Sequence, residues 1–372
     1  MLKIPTLSFV LVMLAMSVQS QRSINVPNGY IETRKIAGRP VHVWAPANPP
    51  NMVFDKWVGD TVILKDPFAW HTRVNLMQKN VTLTATFKSA PAWSPTYGQI
   101  NGRQYGYFFP AGFRGVVFRF HGTGGSGIIL YNSLEHRITA NDLVAAGFAV
   151  VALDSDDRVN RQWPYALPPN NPDIVNVQAL INSFISRGFI TANTPIFGLG
   201  MSNGGAFTAG VSYALNFSAA SIYCAPGSAF INQTTVPTIW NMQQNDANDQ
   251  VGPSGNATAQ ANSQILAQRG VPTEFNMNIP SPVYPQRFAR IPGLSVSDSQ
   301  IIHDSLKNNG ILNMHDYLVQ SPSESKWHQF LPAAYTAFSN DIMSELGKSY
   351  AGHNFYSEND GRVIAFFNAQ LT

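Results

Sequence analysis

In "GLGMSNGGAF", residues 198–207, Ser202 stands between Gly200 and Gly204 in a G-x-S-x-G spacing. A hydroxyl is a poor nucleophile until a base takes its proton, and it must stand clear of its own backbone to reach an electrophile. The run "TPIFGLG" before it reads as a buried strand and the stretch after it as a helix. That context places the serine on a sharp strand-to-helix turn, with Gly204, Gly205 and Ala206 giving clearance where the helix begins. The bland alternative, a glycine-rich bend without chemistry, does not account for the strand before it and the helix after it.

A nucleophilic serine also needs two backbone N–H groups aimed at the oxyanion that develops during attack. "FRFHGTGGSG" (118–127) follows the strand "GVVFRF" and is glycine-rich enough to turn amides inward without side-chain obstruction. The expected donors are the amide of Thr123, with Gly124 as a second candidate in the same loop, and the amide of Asn203, the residue after the serine. His121 is a candidate base, but it precedes the serine in the chain, and bracing the loop is its expected role. A phosphate cradle is the other use of such a loop; there is no Gly-Lys-Ser/Thr here, and Asp154 makes an unconvincing ribose partner.

An orienting acid belongs just beyond a strand end. "VPTIWNMQQNDANDQVG" (236–252) offers Asp246 and Asp249, with Asp246 first after the strand and better placed. The base is then sought downstream, among His303, His315, His328 and His353. His353, in "SYAGHNFYSENDGRVIAFFN", lies in a loop before the final amphipathic helix, whose start at Ser357 with Asp360 reads as a capping box. The other three fall on helical patterns, where packing and surface roles are the usual ones.

These positions require a scaffold of strands whose ends converge. From residue 115, "GVVFRF", "GFAVVAL", "TPIFGLG", "AASIYCA", "PTIWNMQ" and "PTEFNMNI" alternate with amphipathic stretches. In "DIVNVQALINSFISRG", Ile174, Val177, Leu180, Ile181 and Phe184 recur at helical spacing between a possible Asp173 cap and Gly188. Such alternation predicts an α/β fold, a mostly parallel sheet with helices on both faces. Residues 280–350 break the rhythm and read as a helical cap insertion. Residues 21–88 alternate apolar and polar positions without a helical pattern and read as a small all-β domain, joined through a Pro- and Ser-rich linker, 89–97, to the domain spanning 98–372. Trp44, Trp57 and Trp70 could form an aromatic platform there, but so small a domain needs them for its core.

Two resemblances follow. Phe54, Trp57, Gly59 and Asp60, then Val81, Thr82, Thr84, Ala85 and Phe87, make residues 21–88 similar to the divergent internalin B repeats of exported bacterial proteins, which implies an attachment or spacer role. The order Ser202, Asp246, His353 with "HGTGG" upstream resembles the α/β-hydrolase superfamily, and within it secreted serine esterases of the poly(hydroxyalkanoate) depolymerase and feruloyl esterase type, over residues 98–372. The chain departs from those relatives in having a single cysteine and about a hundred residues between Asp246 and His353.

Composition sets the outer limits. Lys3 followed by the apolar run 7–18 and "SVQS" reads as a signal peptide over residues 1–20, too short to span a bilayer, so secretion is expected. A hydrophobic content of 44% with 12% charged residues suits a large packed core. The 24 Lys and Arg against 21 Asp and Glu form no basic cluster, so neither nucleic acid nor an anionic membrane is an expected partner. Cys224 alone makes no internal disulfide and reads as a buried thiol. Asn80, Asn216, Asn232 and Asn256 head N-x-S/T sequons. The expectation is a serine ester hydrolase needing no metal or cofactor, acting on an extracellular ester such as a polyester or acylated polysaccharide, with possible attachment through residues 21–88. A serine peptidase of the same fold and a non-catalytic surface-binding protein are the alternatives.

Overall fold

A computed structural model describes residues 23–371 apart from 35, 37–38, 75–79, 93, 168–169 and 228; the expected leader, residues 1–20, lies outside these. The first strands are β1 (Ile24–Asn25), β2 (Tyr30–Ile31), β3 (Val41–Trp44), β4 (Met52–Gly59), β5 (His71–Val74) and β6 (Val81–Ser89). They form two three-stranded sheets, ordered β1-β6-β4 and β2-β3-β5. Phe54 pairs with Phe87 and Trp57 with Ala85 across antiparallel β4 and β6. Trp44, Trp57 and Trp70 are buried together with Val43, Leu83 and Ala85, so the three rings are core and no platform.

The larger sheet uses β7 (Thr96–Ile100), β8 (Arg103–Phe108), β9 (Gly115–Phe120), β10 (Phe148–Leu153), β11 (Ile196–Met201), β12 (Ala219–Tyr223), β13 (Thr238–Gln243) and β14 (Thr273–Asn278). Its order in space is β7-β8-β10-β9-β11-β12-β13-β14, with β8 antiparallel to both neighbours and every other pair parallel. An eight-stranded sheet with its second strand reversed and its third and fourth exchanged is the α/β-hydrolase fold. The central strands β9, β10, β12 and β13 are buried at every residue, which is why they read as continuous apolar runs.

The helices are α1 (Ile129–Asn132), α2 (Leu134–Ala145), α3 (Pro172–Ser186), α4 (Asn203–Ala214), α5 (Gly252–Gln268), α6 (Val296–Asn308), α7 (Ser339–Tyr350) and α8 (Asp360–Asn368). α2 and α8 cover one face of the sheet, α3 and α4 the other. On α3 the residues at helical spacing, Ile174, Val177, Leu180, Ile181 and Phe184, are all buried; each such side chain contributes about 1.5–3 kcal/mol relative to exposure.

Three local expectations are corrected. α3 is capped by Asn171, whose side chain accepts from the N–H groups of Asp173 and Ile174, and Pro172 takes the first turn, so Asp173 is inside the helix. The final helix has no capping box, because Ser357 gives both its N–H and its hydroxyl to Glu135 Oε2. The linker over 89–97 contracts to residues 90–95, since β6 extends through Ser89 and β7 begins at Thr96. β7 and β8 escaped the sequence pattern because both are rich in polar residues, β7 lying at the sheet edge and β8 beside it.

The insertion over 280–350 builds its own apolar cluster from Phe288, Ile302, Leu306, Trp327, Ile342 and Leu346, closed against Leu134 of α2. It is fastened to the β unit: Tyr284 enters that unit's core, and Arg34 pairs with Asp316 at 3.0 Å. Between them lies a buried set of charges. Arg287 pairs with Glu345 and Glu358, Arg290 with Glu135 and Glu345, and Lys348 with Glu358. His71 of β5 lies 2.7 Å from Glu358, and the Arg290 guanidinium stacks 4.1 Å from the Trp70 ring. The β unit is therefore docked onto the α/β unit rather than hinged from it. Removing one partner of a buried pair costs about 3–5 kcal/mol, because the survivor keeps its charge without compensation. Glu358→Ala is expected to lower unfolding stability by about that amount in a urea titration; a loss within the ±0.5 kcal/mol of ordinary surface changes would contradict it.

Candidate active site

β9 and β11 are neighbours where the strand order reverses, so the loops leaving their carboxyl ends face one another across a crevice. The loop after β11 is the Ser202 turn. Ser202 adopts φ 56° and ψ −125°, a conformation costing a non-glycine residue on the order of 1–3 kcal/mol. Its N–H donates to Tyr223 O at 2.8 Å, and its carbonyl accepts from Ala206 N–H at 3.0 Å. A Cβ on Gly200 would stand 2.2 Å from Gly204 O, and one on Gly204 would stand 2.3 Å from His121 O. Strand, turn and helix therefore close only around glycine at these two positions.

The structure brings Ser202, His353 and Asp246 into one line. Ser202 Oγ is 2.9 Å from His353 Nε2, and His353 Nδ1 is 2.7 Å from Asp246 Oδ2. A carboxylate only accepts, so Nδ1 carries the proton and Nε2 is free to accept from the hydroxyl. Asp246 is buried, and its other oxygen accepts from Asn248 N–H at 2.9 Å. Asp249 is exposed and takes no part. The His353 loop is tied to the end of β13: Asn245 N–H donates to Ala351 O, Asn245 Nδ2 to Tyr350 O and Gln243 Nε2 to Asn354 O. The other histidines lie elsewhere. His303 is buried in the insertion beside Asp304 and Asp316, His315 contacts Arg34 O, and His328 is exposed.

The loop after β9 runs against the serine, since a Cβ on Gly122 would lie 3.5 Å from Ser202 Cβ. Gly124 N–H is committed to Arg161 O at 3.1 Å, which removes it as an oxyanion donor. The amides of Thr123 and Asn203 have no hydrogen-bond partner among the described residues, leaving both available. His121 braces: Nδ1–H donates to Gly122 O at 2.8 Å, Nε2 accepts from Ser155 N–H, and burial lowers it to about 4, so it stays neutral. Asp154 accepts from Gly127 N–H at 2.8 Å, a loop clamp rather than a ribose contact.

Two supports were not legible in the sequence. The Asn203 side chain is clasped by Trp163 N–H, Trp163 O and the Tyr165 hydroxyl, which fixes the start of α4. No spacing in the sequence links the loop over 155–171 to the serine turn. Cys224, at φ 47°, is buried behind the site with its thiol donating to Asn354 O, and burial pushes that thiol up. Clefts of about 660 and 410 Å³ border the β unit; neither is lined by Ser202, Asp246 or His353.

This chemistry is that of an activated hydroxyl, an oriented general base and two uncommitted amides beside the nucleophile. No protein-family model matches the sequence, and no curated protein matches it. Solved structures similar to it include a ferulic acid esterase (15% identity, 47% of this chain and 83% of that one, TM-score 0.37). A cold-adapted esterase from an Arctic intertidal metagenomic library shares 17% identity over 50% of this chain and 82% of its own, with a TM-score of 0.36. An acetyl xylan esterase from Aspergillus awamori shares 13% over 45% and 81%, with a TM-score of 0.35. The fold assignment rests on strand order and direction, and likeness of this degree adds nothing about activity.

Burial lowers His42, His71, His121 and His136 below their ordinary value of 6.5. Above that value folded and unfolded chains bind equal numbers of these protons. Below it the unfolded chain binds more, so the stability these histidines contribute is fully present above pH 6.5 and, for His121, is lost as pH falls toward about 4, its folded value. His121 alone is worth on the order of 3 kcal/mol. Measured against His121→Gln, the parent's Tm is expected to be level above pH 6.5 and to fall below it; a Tm difference between the two that stays constant down to pH 4.5 would contradict this.

Proposed function

We propose that this chain is a serine ester hydrolase working through an acyl-enzyme. The observation that carries the reading is the unbroken line from Ser202 Oγ through His353 to Asp246, at 2.9 and 2.7 Å. His353 Nε2 takes the hydroxyl proton as Ser202 Oγ attacks the ester carbonyl, and Asp246 stabilises the imidazolium. The amides of Thr123 and Asn203 receive the negative charge on the tetrahedral oxygen. His353 then hands its proton to the leaving alcohol, and water, deprotonated by the same imidazole, releases the acid.

The substrate is read as an extracellular ester, either a polyester or an acylated polysaccharide, and the chain as secreted. Support for export comes from the leader-like residues 1–20. Support for a large substrate comes from an open rim: Thr123 and Gly124 are exposed and Tyr165 is 59% exposed. Attachment to a polymer or cell surface is assigned to the β unit resembling an internalin B repeat, though not through its three buried tryptophans. Ester over peptide bond rests on the resemblance of residues 98–372 to secreted esterases.

Ser202→Ala is expected to lower turnover of p-nitrophenyl acetate by at least ~10³-fold while leaving the Tm close to that of the parent. A fluorophosphonate is expected to label Ser202 and no other residue. Unreduced turnover in Ser202→Ala, or an unlabelled parent enzyme, would reject the assignment. A series of p-nitrophenyl esters of rising chain length, a feruloyl ester and a polyester film then separates the substrate classes.

A further inference from the structure

The line of Ser202, His353 and Asp246 leaves one reactive neighbour unused. Cys224 follows β12, and its sulfur, an Asp246 carboxylate oxygen and a ring nitrogen of His353 all lie within 4.8 Å of one another. Thiol, imidazole and carboxylate together are a donor set for a tetrahedral cation of intermediate softness. Zinc binds sulfur at about 2.3 Å, nitrogen at about 2.0–2.1 Å and carboxylate oxygen at about 2.0–2.2 Å, so two ligands on one tetrahedral ion stand about 3.4–3.6 Å apart. Three atoms already within 4.8 Å close on one ion by movements on the order of 1 Å.

The surroundings fit. Cys224 and Asp246 are fully enclosed, whereas the His353 side chain keeps 22% exposure and so leaves a way in from solvent. The thiol has no disulfide to make, being the chain's only cysteine, and it donates to Asn354 O over a long 3.4 Å contact. A water molecule completes the fourth position.

We propose that Cys224, Asp246 and His353 form an inhibitory site for a thiophilic divalent cation of the zinc type. Binding forms a metal–sulfur bond and releases the thiol proton to solvent, with no change of oxidation state. The cation takes His353 Nδ1, the nitrogen that faces Asp246; the proton of Nδ1 moves to Nε2, which then cannot accept from Ser202 Oγ, so the base is lost. Mg²⁺ and Ca²⁺, which prefer oxygen ligands, leave the site alone. The inhibition rests on the hydrolase reading, while the binding itself does not.

The test has two arms. In the first, Co²⁺ is titrated into the Ser202→Ala variant, where a thiolate-to-cobalt charge-transfer absorption is expected at one equivalent and is absent after Cys224→Ala is added. In the second, Zn²⁺ is titrated against p-nitrophenyl acetate turnover, each variant being referred to its own metal-free rate. Cys224→Ala is expected to raise the half-inhibitory Zn²⁺ concentration by more than about tenfold, the smallest loss typical even of an outer-shell partner. Cys224→Ser serves the same comparison if the alanine variant folds poorly. Equal zinc sensitivity in the parent and cysteine variants, or no sulfur-to-cobalt absorption, overturns the site. Ester turnover that survives Ser202→Ala rejects the hydrolase reading and leaves the cobalt result standing.

Discussion

Three basic and three acidic side chains buried together organise this molecule. Arg287, Arg290 and Lys348 face Glu135, Glu345 and Glu358, with side chains no more than 5% exposed. Burial pushes Glu345 up to about 7 and Lys348 down, since a charge in such a place has no water to solvate it and must be paired or neutralised. Apolar residues of similar volume would hold the region together as well or better, so the set is a weak source of stability. Its consequence is geometric. Glu135 belongs to α2, Glu358 to the segment after His353, and the rest to the insertion, while Trp70 and His71 of the β unit close the outer side. Four parts of the chain meet here, and their basic and acidic side chains pair across the junctions.

His353 inherits its position from that arrangement. Glu135 holds Ser357 by its N–H and hydroxyl, and Arg290 adds a bond to the same hydroxyl. One residue along α2, His136 stacks on Phe355 at 4.1 Å and is fixed in turn by Arg119 from the carboxyl end of β9. Further along, Asp142 meets Asp360; burial pushes Asp142 up to about 7 and raises Asp360 as well, so near neutrality the pair keeps a proton between them. One face of α2 thus grips residues 355–360. The end of β13 grips residues 350–354 from the other side. An imidazole held from both sides needs little rearrangement to accept a proton, which is the preorganisation such a site requires.

The sequence carried the parts of this that depend on local steric rules. Gly200 and Gly204 around Ser202 announce a turn where backbones touch, and a strand followed by polar residues locates Asp246. Buried parallel strands are legible because both faces are apolar. Edge strand β7 was not, since its exposed side lets polar residues in and erases the pattern, nor was its neighbour β8, where Arg103, Gln104 and Gly106 interrupt the apolar run. The clasp of Asn203 by Trp163 and Tyr165 and the pairing of Glu135 with Ser357 were beyond reach for another reason. They join residues 40, 38 and 222 positions apart, and nothing in local spacing encodes such a meeting. Ser357 shows the cost of ignoring this: its sequence is that of a helix cap, and a stronger, distant acceptor takes its hydrogen bonds.

The hundred residues between Asp246 and His353 look like a liability for a site that needs both within hydrogen-bond reach. Loop closure grows costlier only logarithmically with length, each doubling adding about 0.6 kcal/mol, so length by itself is a small handicap. The intervening chain is moreover not a loose loop. α5, β14, α6 and α7 are each folded against something, and the segment returns to the sheet through Ser281 N–H on Ser349 O and Asn278 on Lys348 O. Those contacts bring the two ends of the insertion beside each other. The distance His353 must span to reach Asp246 is then set by the short stretch after Tyr350. That stretch is pinned by Asn245 and Gln243, the residues flanking the acid's own strand end. The insertion lengthens the chain between acid and base without lengthening the path that positions them.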